Sequence, residues 1–118
     1  MVGIELSPHS AHVRPQRLAM FHARAPANGE LVGVLVGVFV GDRWEPALTG
    51  TTLESVIVHG VKVHLAPFAG MIDGDRVGWL VSARVRAGQT LVVYVRNDRP
   101  GTAELRSVLV VRPLSLRP

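Results

Sequence analysis

Residues Trp79–Val111, WLVSARVRAGQTLVVYVRNDRPGTAELRSVLVV, decide the fold. Trp79, Val81, Ala83 and Val85 alternate with Leu80, Ser82, Arg84 and Arg86. A period of two places one set on a core and the other in water, which is the pattern of a β-strand. Ala87-Gly88-Gln89 breaks the pattern where a hairpin connection is expected. Leu91, Val93 and Val95 resume it, opposite Val92, Tyr94 and Arg96. Asn97-Asp98-Arg99-Pro100-Gly101 predicts a second, longer turn. Ala103–Val111 predicts a third strand, with Leu105, Ser107, Leu109 and Val111 on one side. Three strands joined by short turns predict an antiparallel β architecture.

Composition points the same way. A chain of 118 residues suits one domain with one core. Hydrophobic residues make up 47% of it but aromatics only 5%, so the apolar mass is Val, Leu and Ala. Valine is stiff at its first torsion and packs well on a pleated surface. Twelve Gly and eight Pro divide the chain into short segments, as in sandwiches and barrels.

Upstream, MVGIELSPHSAHVRPQ (residues 1–16) has no sustained period and reads as an N-terminal arm. Its Val2, Ile4 and Leu6 can dock on the body or on a neighbouring subunit. Arg17–Arg24 predicts a strand with Leu18, Met20 and His22 on one face and Ala19, Phe21 and Ala23 on the other. Asn28-Gly29 is a hairpin signal. Leu31–Gly41, LVGVLVGVFVG, is apolar on both faces, so something beyond a single sheet has to shield it. Its glycines Gly33, Gly37 and Gly41 share a face and let another backbone come close. Asp42-Arg43 predicts a tight turn, and Pro46 places Trp44–Leu48 at a sheet edge. Leu53–His59 and Val61–Leu65, split by Gly60, predict either one bulged strand or a tight hairpin. Ala66–Gly78 is expected as the longest irregular stretch, with Asp73-Gly74-Asp75 its turn. The fold expected is an all-β antiparallel sandwich of about eight strands, jelly-roll-like, spanning residues 17–118 behind the arm.

The chain has no cysteine, which excludes disulfides and thiolate metal sites. No secretory signal is visible at the N-terminus, and the longest apolar run is too short for a membrane helix. A net charge of +4, from twelve Arg and one Lys, permits contact with an acidic surface without demanding it. Arg84, Arg86, Arg96, Arg106 and Arg112 predict a basic face on the last three strands. Only Tyr94 interleaves with them and Glu104 dilutes them, so a nucleic-acid platform is not expected. His59 and His64, five apart, point to opposite faces of a regular strand, while His9, His12 and His22 lie on the arm and first strand. No ligand spacing joins these histidines, and no metal or other cofactor is expected. Asp73 and Asp75 lack the further oxygens of a calcium loop. No serine sits in a G-x-S-x-G elbow and no phosphate loop is present. Nothing in the sequence pairs Glu45 with Glu54 as a glycosidase would require.

The layout of Val81–Val111 is a basic or polar strand, A-G-Q-T, an apolar strand, Asn, a polar loop and an apolar strand. It resembles small β-sandwich and jelly-roll proteins of virus particles, and covers about a quarter of the chain. Capsid decoration proteins of tailed phages are similar in size, in lacking cysteine and in carrying an N-terminal arm. The resemblance implies a structural, non-enzymatic role exercised through subunit contacts, in a virion or a cytoplasmic particle. The expected partners are other copies of the chain, as a trimer or higher homo-oligomer, and a larger protein assembly such as a capsid. No membrane partner is expected. Val2, Ile4, Leu6, Met20, Phe21, Val36, Val38 and Phe39 are the candidates for core and interface. Two alternatives remain open on the residues: a carbohydrate-binding module stacking sugars on Trp44, Trp79 and Tyr94, and a cupin-like metal enzyme built on His59, His64 and an acid.

Overall fold

The computed structural model describes residues 1–73 and 76–114. Eleven strands run in chain order: β1 (Val2–Glu5), β2 (Ala11–Val13), β3 (Leu18–Arg24), β4 (Gly29–Val40), β5 (Arg43–Pro46), β6 (Thr51–Val58), β7 (Val61–Lys62), β8 (Leu65–Asp73), β9 (Arg76–Val85), β10 (Thr90–Asn97) and β11 (Ala103–Pro113). Among the described residues there is no helix.

The strands form two antiparallel sheets. The larger has the order β1-β11-β4-β9-β8, with β2 also paired to β11 and β5 to β4. The smaller has the order β3-β10-β6-β7. Their inner faces meet in one hydrophobic core. Phe21, Val56, Leu91, Val93 and Val95 come from the smaller sheet, and Leu31, Val34, Leu105 and Leu109 from the larger. Period-two alternation holds on β3 and β10, where Ala19, Phe21, Leu91, Val93 and Val95 are buried and their neighbours are not.

The segment expected as an arm lies on this body. β1 pairs with the second half of β11 and β2 with its start, while Ser7 exchanges two backbone hydrogen bonds with His22 of β3. Ile4 and Leu6 are buried in the same core as the sandwich; Val2 is exposed.

Three connections expected as hairpins are crossovers between sheets. β3 and β4 flank Asn28, β9 and β10 flank Ala87-Gly88-Gln89, and β10 and β11 flank Asp98–Thr102, yet no strand of these pairs bonds to the other. Turn residues report that the chain reverses; they carry no information on which sheet receives the next strand. Gly29 is glycine because of close approach: a Cβ there would lie 2.5 Å from Val111 Cγ1 and 2.9 Å from the Arg112 carbonyl oxygen. Asn28 Oδ1 accepts the Ala87 N–H at 2.9 Å, tying two of the crossovers together.

The true hairpins are tighter. Val40 pairs with Arg43 across Gly41-Asp42, where Gly41 has φ 65°. Val58 pairs with Val61 across His59-Gly60, both at positive φ, which resolves that region as a two-residue hairpin. Ala66–Gly78 is mostly strand, contrary to expectation: it falls within β8 and the start of β9. Ala, Pro and Gly blur its alternation, and register shifts at Leu65/Ala69 and Met71/Asp73 interrupt the period. Of the turn expected at Asp73-Gly74-Asp75, residues 74 and 75 lie outside the described residues.

The doubly apolar strand is β4, central in the larger sheet. Val34, Val36 and Val38 face the sandwich core; a register shift against Val110/Val111 lets Leu31 join them. On the outer side, Gly33 admits a side chain rather than a backbone. A Cβ at Gly33 would lie 2.3 Å from Ile72 Cδ1 and 2.7 Å from its Cγ1, and a Cβ at Gly78 would lie 2.5 Å from the same Cδ1. Ile72 therefore fills a notch cut by two glycines and seals that end of the outer face. Gly33→Ala is expected to cost about 1–3 kcal/mol by overpacking. In an Ile72→Ala background the same change should cost almost nothing, because its obstacle is gone. Urea denaturation of the four proteins measures this coupling, and additive losses would show that Ile72 does not occupy the notch.

Candidate functional site

β4 is longer than any one neighbour on its β9 side. β9 pairs with it from Gly29 to Val34 and β5 from Gly37 to Val40, so Leu35 and Val36 lie at the junction between them. At this junction the outer face of the larger sheet opens into a groove of about 670 Å³. Leu35, Gly37 and Val108 form its floor. Trp44, Pro46 and Leu48 wall one side, and Val77 the other. The hairpin at Gly41-Asp42 folds β5 back so that Trp44 lies opposite Phe39, with ring centroids 5.2 Å apart. A Cβ at Gly37 would sit in ordinary contact with Trp44 Cε3 and the Glu45 carbonyl oxygen, both at 3.5 Å.

Polar groups ring the groove. Arg106 stands with its guanidinium 5.9 Å from the Trp44 ring centre and donates to Glu5 at 2.7 Å. Arg43 pairs with Glu45 at 3.3 Å. His9 meets the Trp44 ring edge-on at 6.4 Å. Phe39, 39% exposed, stands beside the groove on the same face of the strand, next to Trp44. The surface can take an apolar or aromatic group and hold it against charged flanks.

The structure sorts the residues picked from sequence. Ile4, Leu6, Phe21, Val36 and Val38 are buried inside the chain and cannot contact a partner directly. Val2, Met20 and Phe39 are exposed. The five arginines do not form one patch, because β9 and β11 belong to the larger sheet and β10 to the smaller. Arg84 and Arg112 flank Glu30 across β4, Arg106 binds Glu5, and Arg96 lies on the opposite exterior; Arg86 lies just past the end of β9. The three proposed stacking residues are likewise separated. Trp79 turns into the core opposite Val34, Tyr94 lies on the smaller sheet, and Trp44 alone borders the groove. His59 occupies a hairpin turn and His64 a small cleft beside Leu80 and Ser82. Among the described residues no three of His, Cys, Asp and Glu are placed to hold a metal. Glu45 and Glu54 belong to different sheets.

Sequence reading missed the polar cluster on the outer face of the smaller sheet. Arg96 donates through Nε to Asp98 at 2.6 Å and pairs with Glu54, and Thr52 Oγ1 donates to Asp98. The hydrogen bond from Arg96, and after it the one from Thr52, holds the Asp98 carboxyl below its usual range. A depressed carboxyl stabilises the fold above its unfolded pKa of about 3.9, and that contribution is lost as pH falls through the lower folded value. Arg96→Gln should therefore move the Asp98 titration upward, and Thr52→Val should move it less. Carboxyl carbon shifts followed by NMR against pH measure both, and a midpoint unchanged in Arg96→Gln would contradict the assignment.

No protein-family model matches the chain, and no curated protein or solved structure is significantly similar to it. No helix among the described residues is long and apolar enough to cross a membrane.

Proposed function

We propose that the protein is a non-enzymatic structural subunit that associates with further copies of itself, in the manner of a subunit decorating a larger protein particle. The observation that carries this reading is the outer face of β4: Leu35 and Val108 floor an open groove, and the exposed Phe39 forms a ridge next to it. Ridge and groove lie on one surface, so the same face of a second copy can meet it about a two-fold axis. Apolar centre and charged rim is the usual layout of a protein interface. The Arg43–Glu45 and Arg106–Glu5 pairs supply both signs of charge at that rim. Sedimentation velocity of the wild type against Val108→Asp tests this. Val108 is half-buried on the groove floor, so its replacement by a carboxylate should lower the association state while leaving the core untouched. A wild type that sediments as a monomer at every concentration would overturn the reading.

A sugar-binding role has one observation in its favour, the half-buried Trp44 beside Arg106 and Glu45. Glycan-array binding that disappears in Trp44→Ala would establish it.

A further inference from the structure

We infer that the free edge of β3 is a second self-association site, where two copies join their smaller sheets into one continuous sheet across a two-fold axis at Ala19. The inference rests on the self-association proposed above and adds a surface on the opposite side of the sandwich.

Hydrogen-bond parity identifies the free groups. Ala19, Phe21, Ala23 and Ala25 point their backbone groups at β10 and the turn before it, and Arg17 points its carbonyl there while its N–H donates to Arg14. Asn97 N–H donates to the Arg17 carbonyl at 3.0 Å and Ala25 N–H to the Gln89 carbonyl at 2.9 Å, which fixes both ends of that row. Leu18, Met20 and His22 therefore point theirs away from β10. His22 spends both groups on Ser7, at 2.8 and 2.9 Å. Among the described residues, nothing takes the outward backbone groups of Leu18 and Met20.

Edge strands in natural proteins are blunted by shortness, lysine, proline or a bulge. β7, the other edge of this sheet, is two residues long and contains Lys62. β3 is seven residues long and has no lysine, proline or register shift. Its outward side chains are apolar in the first half, where Leu18 is 53% and Met20 48% exposed, and polar in the second, at His22 and Arg24. Tyr94, opposite Met20 on β10, donates its hydroxyl to Met20 Sδ at 3.4 Å and steadies that side chain on the sheet.

A second copy fits this edge. Antiparallel pairing centred on Ala19 sets Leu18 opposite Met20 of the other copy, and Met20 opposite Leu18. Each of these is a hydrogen-bonded pair, so four backbone bonds form and every free group of the two residues is satisfied. The Ser7–His22 bridge stays intact, and the small Ala19 side chains meet at the axis, where strands approach most closely. The Leu18 and Met20 side chains of both copies then cover one another on the sheet's outer face.

The test is sedimentation equilibrium of four proteins: wild type, Val108→Asp, Met20→Pro and the double variant. Proline at position 20 removes an N–H that serves nothing inside the chain, a placement edge strands tolerate. Met20→Lys is the companion should proline disturb folding. With two surfaces, the wild type passes beyond the dimer, Val108→Asp stops at a dimer, and adding Met20→Pro or Met20→Lys weakens that dimer by about tenfold or more. Amide exchange at Leu18 and Met20 slows in the Val108→Asp dimer. A Val108→Asp protein that is already monomeric overturns the β3 pairing and leaves the groove reading standing, as does a dimer untouched by both Met20 variants. A wild type that is monomeric throughout overturns both.

Discussion

Replacing Phe21 by alanine is expected to cost about 3–5 kcal/mol. Phe21 is fully buried and is the largest of the wholly buried residues among those described. It stands on β3, next to β10, and points from the smaller sheet at the larger. β3 is an edge strand, held on one side by β10 and on the other by a single bridge at Ser7. The cavity left by alanine adds to the lost transfer energy. Phe21→Leu should cost less than half as much, because most of the volume remains. Urea midpoints measure both. A Phe21→Ala loss below about 1 kcal/mol would mean that the two sheets do not meet at this residue.

Replacing Asn97 by alanine is expected to cost about 3 kcal/mol, and replacing it by aspartate at least as much. Asn97 is fully buried between the N-terminal turn and the β10–β11 crossover. Its Nδ2 donates to the carbonyls of Val13 at 2.8 Å and Gly101 at 3.0 Å, and its Oδ1 accepts the Arg99 N–H at 2.9 Å. Its backbone continues the join, donating to Arg17 and accepting from Gln16. Alanine leaves the buried Val13 carbonyl, and the partly buried Gly101 carbonyl and Arg99 N–H, without this partner. Aspartate can still accept from Arg99 but cannot donate, and it places a carboxylate against two carbonyl oxygens. Thermal unfolding of the three proteins distinguishes the roles: if Asn97→Asp were as stable as the wild type, the side chain would be acting as an acceptor alone.

Strands were legible in the sequence where one face is wet. The alternations through β3, β10 and β11 assign Phe21, Leu91, Val93, Leu105 and Leu109 to the core, and all five are buried. Sheet membership was not legible. Ala87-Gly88-Gln89 and Asn28-Gly29 carry hairpin chemistry, but they arch between sheets because β4 and β9 pair with each other rather than with the strands beside them in sequence. The basic face of Arg84, Arg96 and Arg106 failed as a single patch for that reason. β8 was hidden by Pro67, Gly70 and two register shifts. Asn97 looked like the first residue of a turn; its burial depends on where Val13 arrives from eighty-four residues away.

The groove was half legible. LVGVLVGVFVG announces that β4 needs cover on both faces, and the structure shows Ile72 and Trp44 covering the two ends of the outer one. That the middle stays open, with Val108 beside Leu35, depends on where β9 leaves β4 and β5 takes over. Hydrophobic side chains left in such a groove gain from any partner that removes them from water.

Tryptophan fluorescence reads that surface directly. Trp79→Phe removes the inward indole, whose buried Nε1–H has no hydrogen-bond partner among the described residues, and leaves Trp44 as the sole tryptophan, at the groove. Emission that shifts to the blue and loses its quenching by iodide as protein concentration rises is the expected result. A Trp44 spectrum equally red and equally quenched at every concentration would contradict a self-associating outer face.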